Sequence, residues 1–560
     1  MLSKKTILFV GSLAFLLFSC GISKSIHHQA ITANYNATPP VVVKSGFNHF
    51  SAGANFLLKN NQNLWELYTE GDPLERGLNM GALTDSLLKK QERVFFTKII
   101  KLVPSKRRQE FLRAFLKWYN RKLYLNVPEE FKTEIFGVSE YTSAEFNKIA
   151  PPYLRALYLH GAHDIGHALQ DLALVGCSSF AAWGDKSEDG SLILGRNFDF
   201  YAGDEFAQDK IVLFSKPKTG IPFMTVAWPG MIGAVSGMNL QGLTVTINAS
   251  KSKIPLVAKT PISLLTREIL QYASTIEEAV AIAKKRSVFV SETIMIGSAK
   301  DKKAILIEIA PDKLSVFEVP NSNQLVCSNH FQSDAYKNDT RNKYQITYSH
   351  SQYRFDKLTE LLNQNPKINP TIAASILRNR EGVNHTVLGN GNEKALNQLL
   401  AHHGVIFKPE QRLVWVSSNP YQLGELVCYD LNAIFNTKQN PITTTTLSTE
   451  RLNIPKDPFV DSEEFANYEQ FRKEDQKMDV FIKTKTDLPD NFEKNYQSLN
   501  PEYWLGYFKL GVYYFNQKKY AAAKVYFEKA MTKEITTLLS KQEVEEYLRT
   551  IKKKAHDSSN

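Results

Sequence analysis

The chain has 560 residues, too many for one ordinary hydrophobic core, so two or three domains are expected. Its 43% hydrophobic and 22% charged residues exclude both a disordered chain and one that crosses a membrane repeatedly. A formal charge of +11 and a pI near 9.1 fit a basic soluble surface, or attraction to anionic lipid or carboxylate-bearing substrates. No dense Lys/Arg block interleaved with aromatics marks a nucleic-acid surface.

Residues 1–20 read as an address label. Lys4 and Lys5 precede an apolar run over 6–18, too short to span a bilayer, which closes on Leu17-Phe18-Ser19-Cys20. The tetrad resembles the lipobox of bacterial lipoproteins. That implies lipidation of Cys20 and anchorage to the cell envelope, on its periplasmic side or outer surface. An ordinary signal peptide with a chance cysteine is the plainer alternative. Residues 21–46 are polar, contain Pro39-Pro40 and read as a tether.

Over 47–176 the pattern is helical, as at 83–103 and 108–125, where Phe111, Leu112, Phe115, Leu116 and Tyr119 recur at three and four. Gly71-Asp72-Pro73 is a turn, and Gly77 and Gly81, four apart, allow close helix packing. His160, His163 and His167 share a helical face. Asp164 stands where a zincin pattern needs glutamate, so helix packing is expected here and no metal.

The stretch that organises the chain is Gly176-Cys177-Ser178-Ser179 followed by Gly195-Arg196-Asn197-Phe198-Asp199. A cysteine opens one strand, and the next ends in Arg-Asn-aromatic-Asp. The pattern predicts self-cleavage between Gly176 and Cys177, making Cys177 a new N-terminus whose α-amine acts as base for its own thiol. Arg196 and Asp199 are the residue types that would tune that pair. Taken singly, a lone cysteine is usually a buried thiol and an Arg/Asp pair a surface pair.

Over 177–436 strands are expected at 179–183, 192–200, 211–214, 223–228, 233–238, 243–248, 292–297, 304–309, 314–318, 324–328, 404–407 and 413–416. Helices are expected at 262–273, 276–284, 352–363 and 370–377. The order predicts an α+β fold, two sheets face to face with helices outside. Cys327 and Cys428, in apolar runs, read as buried thiols. Residues 437–456, with four threonines from Thr443, read as a linker.

Residues 457–560 are helical. Tyr507, Leu510, Gly511, Tyr514, Ala523, Phe527 and Ala530 resemble one tetratricopeptide repeat, with Ile535 replacing its proline. A single repeat cannot bury its own face, so docking on the rest of the chain is expected over a free groove for a protein partner.

The Gly-Cys-Ser-Ser and Gly-Arg-Asn-Phe-Asp elements resemble the N-terminal nucleophile cysteine hydrolases, which include the choloylglycine hydrolases and acyl-CoA:6-aminopenicillanate acyltransferase. The similarity runs over 65–421, and the long segment before the cysteine favours the acyltransferase-like branch. It implies a four-layer αββα sandwich with a helical pro-segment, the nucleophile Cys177 and the Arg196/Asp199 element. Asn248 is implied as oxyanion donor, Asn329 in Cys327-Ser328-Asn329-His330 as a second asparagine, and Arg354 in Ser351-Gln352-Tyr353-Arg354 as the last basic residue. The implied activity is cleavage of a linear, non-peptide amide in a small N-acyl compound, without a cofactor. Transfer from a thioester donor and an inactive scaffold presenting the tail are the alternatives.

Overall fold

The computed structural model describes residues 21–161, 164, 176–201, 203–253 and 257–557. The expected lipidation site Cys20, its leader, and two of the three histidines, His163 and His167, lie outside the described residues.

Seventeen described strands form two sheets. β1 (Val43–Gly46), β2 (His49–Ala52), β3 (Asn55–Lys59), β4 (Trp65–Gly71), β5 (Ser178–Ala182), β6 (Ile193–Phe198), β7 (Ile211–Pro217), β8 (Phe223–Ala227) and β9 (Ser236–Asn239) come first. β10 (Leu243–Ala249), β11 (Glu292–Ser298), β12 (Lys303–Ala310), β13 (Lys313–Phe317), β14 (Gln324–Cys327), β15 (His403–Lys408), β16 (Leu413–Ser417) and β17 (Leu426–Asp430) follow. The eleven-stranded sheet runs β1-β2-β3-β4-β7-β8-β9-β10-β11-β12-β13 and the six-stranded one β14-β5-β6-β15-β16-β17.

The layers follow from the period of two along each strand. Leu192 and Leu194, beside and within β6, meet Val212, Phe214 and Met224 of the other sheet, while the intervening Ile193 faces helices with Leu358 and Leu377. The far side of the large sheet carries Val245, Ile294 and Ile307 against helices Ile262–Tyr272 and Ile276–Lys285. The result is a mixed α+β body of four layers, helix, sheet, sheet, helix. Each strand and helix expected between 177 and 416 appears, most with ends within two residues.

Three expectations need correction. The segment 47–176 does not begin as helix: residues 43–71 are four strands. Trp65 and Leu67 pack on helices while Tyr68 enters the core between the sheets, an alternation hidden by the buried Glu66. β4 pairs parallel with β7 from Trp65↔Ile211 to Gly71↔Pro217, so this segment supplies the edge of the large sheet. The tether 21–46 is docked, because Ile26 and Ala30 join an apolar cluster and the Ile31 N–H donates to Glu129. The linker 437–456 is packed as well. Leu447 and Ile454 are buried, and the Leu447 N–H and the Thr446 hydroxyl donate to Glu66.

Helices Pro73–Leu83 and Glu129–Ser139 pack at backbone contact. A side chain at Gly77 would overlap the Glu134 carbonyl, which accounts for glycine there. Glu134 is buried between Arg76 (2.6 Å) and Arg267 (3.2 Å), tying both helices to Ile262–Tyr272. The C-terminal helices have their own core around Phe471, Tyr496, Leu510 and Phe527, and dock on the body. Arg472 binds Asp204, and Asn500 and Asn390 exchange hydrogen bonds. Among the described residues no helix is long and apolar enough to cross a membrane.

Candidate active site

Cys177 immediately precedes β5, and Asp199 immediately follows β6. The register Ser178↔Asn197 and Ser179↔Arg196 lays the two strands side by side. Alternation puts Cys177 and Ser179 on the face of Ala181, and Arg196 on the face of Leu192 and Leu194. Both faces look into the space between the sheets.

Arg196 is fully buried. Its Nη1 donates to Ser236 Oγ (2.6 Å) and the Val235 carbonyl (3.3 Å), and its Nη2 to the Ile247 carbonyl and to Cys177 Sγ (3.6 Å). Its guanidinium stacks on Phe198, 4.2 Å from the ring centre. Cys177 is likewise buried, and burial pushes its thiol up to about 11 against the opposing pull of Arg196. In the intact chain Cys177 is therefore a thiol at neutral pH.

Asp199 is wholly enclosed, and neither carboxylate oxygen has a hydrogen-bond partner among the described residues. Burial pushes it up to about 7, with Arg354 and Arg196 opposing. An orphaned carboxylate of this kind is costly and calls for an explanation. Glu292, at the start of β11, is a second enclosed carboxyl whose oxygens have no partner among the described residues, raised by burial and by the nearby Asp164.

Arg354, in the first turn of Ser351–Gln364, is the hub on the other side. Nη1 donates to the Cys177 carbonyl (2.6 Å) and Ser178 Oγ (2.7 Å), and Nη2 to Asn329 Oδ1 (2.6 Å). Asn329 sits just beyond β14. Its Nδ2 donates to the Ala249 carbonyl (2.8 Å), and its second amide hydrogen has no acceptor among the described residues. Asn248 on β10 is nearby, but its Nδ2 donates to the Cys327 (3.3 Å) and Ser328 (3.1 Å) carbonyls, and its Oδ1 accepts from Ser179. Both of its amide hydrogens are spent on backbone, which is not the arrangement an oxyanion donor needs. Thus Cys177, Arg196, Asp199, Asn329 and Arg354 converge, and Asn248 adjoins them in a bracing position.

Two groups escaped the sequence reading. Gln398 donates from Nε2 to the Gly176 carbonyl (2.7 Å), across 222 residues and from a loop without a motif. His403 contacts Ser236 Oγ (2.9 Å) behind Arg196, and burial holds it well below the usual histidine range, hence neutral.

The other described cysteines, Cys327 and Cys428, are free and buried. Among the described residues no cluster of three or more His, Cys, Asp and Glu is placed to hold a metal. His160 is enclosed, accepts from the Ile232 N–H (3.0 Å) and is pushed down to about 4 by burial. A mostly apolar cavity is lined by Leu88, Phe95, Leu159, Phe200, Phe206 and Trp228, of which Phe200 is one residue on from Asp199.

Residues 186–419 match the family described as acyl-coenzyme A:6-aminopenicillanic acid acyl-transferase. Arg196, Asp199, Asn248, Asn329 and Arg354 fall within that stretch; Gly176 and Cys177 precede it. An uncharacterized protein of Archaeoglobus fulgidus is 25% identical over 275 residues, covering 45% of this chain and 44% of that one. Protein dcd1B of Dictyostelium discoideum is 23% identical over 194 residues, covering 34% and 36%. The chain thus spans less than half the length of these curated relatives. Among solved structures, the Caenorhabditis elegans N-acylethanolamine-hydrolyzing acid amidase ortholog is 19% identical, with 42% of this chain and 93% of that chain covered at a TM-score of 0.32. A mutant conjugated bile acid hydrolase from Clostridium perfringens is 16% identical, with 48% and 94% covered at 0.33.

Proposed function

We propose that this chain is a self-processing cysteine amidase of the N-terminal nucleophile type, acting on linear, non-peptide amides of N-acyl compounds. The observation that carries the reading is the enclosed group of Cys177, Arg196 and the Asp199 carboxylate. Cleavage after Gly176 creates an α-amine at Cys177, whose N–H groups would give the Asp199 carboxylate the hydrogen-bond donors it is without among the described residues of the intact chain. The match of residues 186–419 to an acyl-transferase family supports acyl chemistry at this site.

In the proposed cycle the Cys177 sulfur adds to the acyl carbon and the carbonyl electrons move to oxygen, where the second Asn329 N–H donates. The α-amine takes the thiol proton and passes it to the leaving nitrogen as the C–N bond breaks, giving a thioester and a free amine. Water, deprotonated by the same amine, then releases the acid and restores the thiol. The apolar cavity beside Phe200 and Trp228 would take the acyl chain. A second reading, transfer of the acyl group to another amine in place of water, is favoured by the family match itself.

We also keep the envelope reading as a proposal. Lipidation of Cys20 would anchor the segment before Cys177, and the sheet edge would hold the catalytic chain to it. The tail with its one tetratricopeptide-like helix pair serves there as a docked element. Incubating the processed protein and a Cys177→Ala variant with a panel of N-acyl amides tests the activity by mass spectrometry. Release of free acid by the former alone is expected, and no turnover of any member sinks the amidase reading.

A further inference from the structure

The backbone on both sides of the Gly176–Cys177 bond is pinned at three points. Gln398 Nε2 donates to the Gly176 carbonyl (2.7 Å), the Gly176 N–H donates to the Asp199 carbonyl (3.2 Å), and Arg354 Nη1 donates to the Cys177 carbonyl (2.6 Å). Only the first of these touches the carbonyl that self-cleavage must attack. Gln398 is buried, at 2% exposure, so its amide is fixed in a place where water cannot replace it. A second observation agrees. A Cβ at position 176 would fall 2.2 Å from Gln398 Nε2, so the glycine before the nucleophile is what lets the amide come this close.

We propose that Gln398 is a catalytic residue of self-cleavage: its side-chain N–H polarises the Gly176 carbonyl and holds the oxyanion formed when Cys177 attacks it. The inference rests on the self-processing reading above. In the step, the Cys177 thiol gives its proton to the Asp199 carboxylate and Sγ bonds to the Gly176 carbonyl carbon. The C=O electron pair moves to oxygen, facing the Gln398 N–H. The pair then re-forms C=O as the bond to the Cys177 nitrogen breaks, and that nitrogen takes the proton from Asp199. A thioester joins Gly176 to the Cys177 sulfur, and water cleaves it to a Gly176 carboxylate and a free thiol. The preorganised donor costs no reorganisation at the moment charge develops, and removing one such donor typically lowers rates about 10²–10³-fold.

The test is a pulse-chase of full-length chain made by cell-free synthesis, with cleavage followed on denaturing gels for wild type, Cys177→Ala, Gln398→Ala, Gln398→Glu and Gly176→Ala. Wild type should cleave and Cys177→Ala should not; a wild type that stays whole removes the self-processing reading and this one with it. Gln398→Ala should cleave about 10²–10³-fold more slowly, and Gly176→Ala should be slowed because its methyl displaces the amide. Gln398→Glu separates a donor from mere packing. Its ionised carboxylate repels the oxyanion, while its protonated form restores an O–H donor, so its rate relative to wild type should recover as pH falls. If wild type cleaves while Gln398→Ala keeps pace, or Gln398→Glu shows the same relative rate at every pH, Gln398 has no such role and self-processing stands without it.

Discussion

Arg196 Nη2 lies 3.6 Å from Cys177 Sγ, in an enclosure where no solvent screens the pair. A charge pair near 4 Å is worth about 4 kcal/mol at an effective dielectric of 20, and keeping a third of that is about tenfold in rate. Arg196→Met should therefore slow self-cleavage at least about tenfold in a time course at fixed pH. It also strips the Val235 and Ile247 carbonyls of a donor, so the melting temperature should fall in the same sample.

Asp199 sets a pH dependence with a definite sign. Its carboxyl is raised from 3.8 to about 7, so between those values the folded chain holds a proton that the unfolded chain has lost. Stability then falls as pH rises through that window, by at most about 1.4 kcal/mol per pH unit. Asp164, pushed up to about 8, and Glu292 act in the same direction, while Arg196 and Arg354 oppose the shift of Asp199. In an uncut Cys177→Ala background, adding Asp199→Asn should flatten the slope of denaturant stability between pH 4 and 7. Equal slopes would show that Asp199 keeps its ordinary titration. In the proposed step the same ionisation makes Asp199 the proton acceptor, so the cleavage rate of the intact chain should rise with pH up to about 7.

The two pieces should stay together after cutting. β4 lies before the cut and pairs along seven residues with β7 after it, and Glu134 bridges Arg76 on one side to Arg267 on the other. Glu134→Ala leaves the buried Arg267 without its carboxylate and Arg76 with only Glu130 (3.3 Å), and breaking a buried pair typically costs about 3–5 kcal/mol. Gel filtration of processed wild type should give one peak with both fragments. The variant should melt lower and release the smaller fragment in mild denaturant that leaves wild type associated.

The two asparagines should separate by readout. One Asn329 amide hydrogen has no acceptor among the described residues, so Asn329→Ala should lower kcat of the processed enzyme about 10²-fold with little change in KM. Asn248→Ala strips Ser179 and two buried carbonyls of their partners, at about 1–3 kcal/mol each, so its main effect should be on thermal stability. Equal losses of kcat from both would place Asn248 at the oxyanion as well.

Much of the fold between β5 and β16 is legible in the chain because short apolar runs, buried on both faces, are separated by turn residues. β1–β4 are not, since β1 is wholly exposed and Glu66 interrupts the apolar alternation of β4. Glu66 is satisfied by Asn60, Tyr429, Thr446 and Leu447, partners up to 381 residues distant, which no local pattern reveals. The same contacts explain why a threonine-rich run that reads as a linker is packed. At the site, Cys177, Arg196 and Asp199 are legible because short motifs carry them on adjacent strands. Gln398 is not, because its meaning comes only from the fold bringing it to Gly176.

The most direct measurement is N-terminal sequencing of the larger fragment from purified wild-type protein. It should begin Cys-Ser-Ser-Phe, at Cys177, and be absent from Cys177→Ala. A fragment beginning at any other residue, or a wild-type chain that stays whole, would contradict the proposed mechanism at its first step.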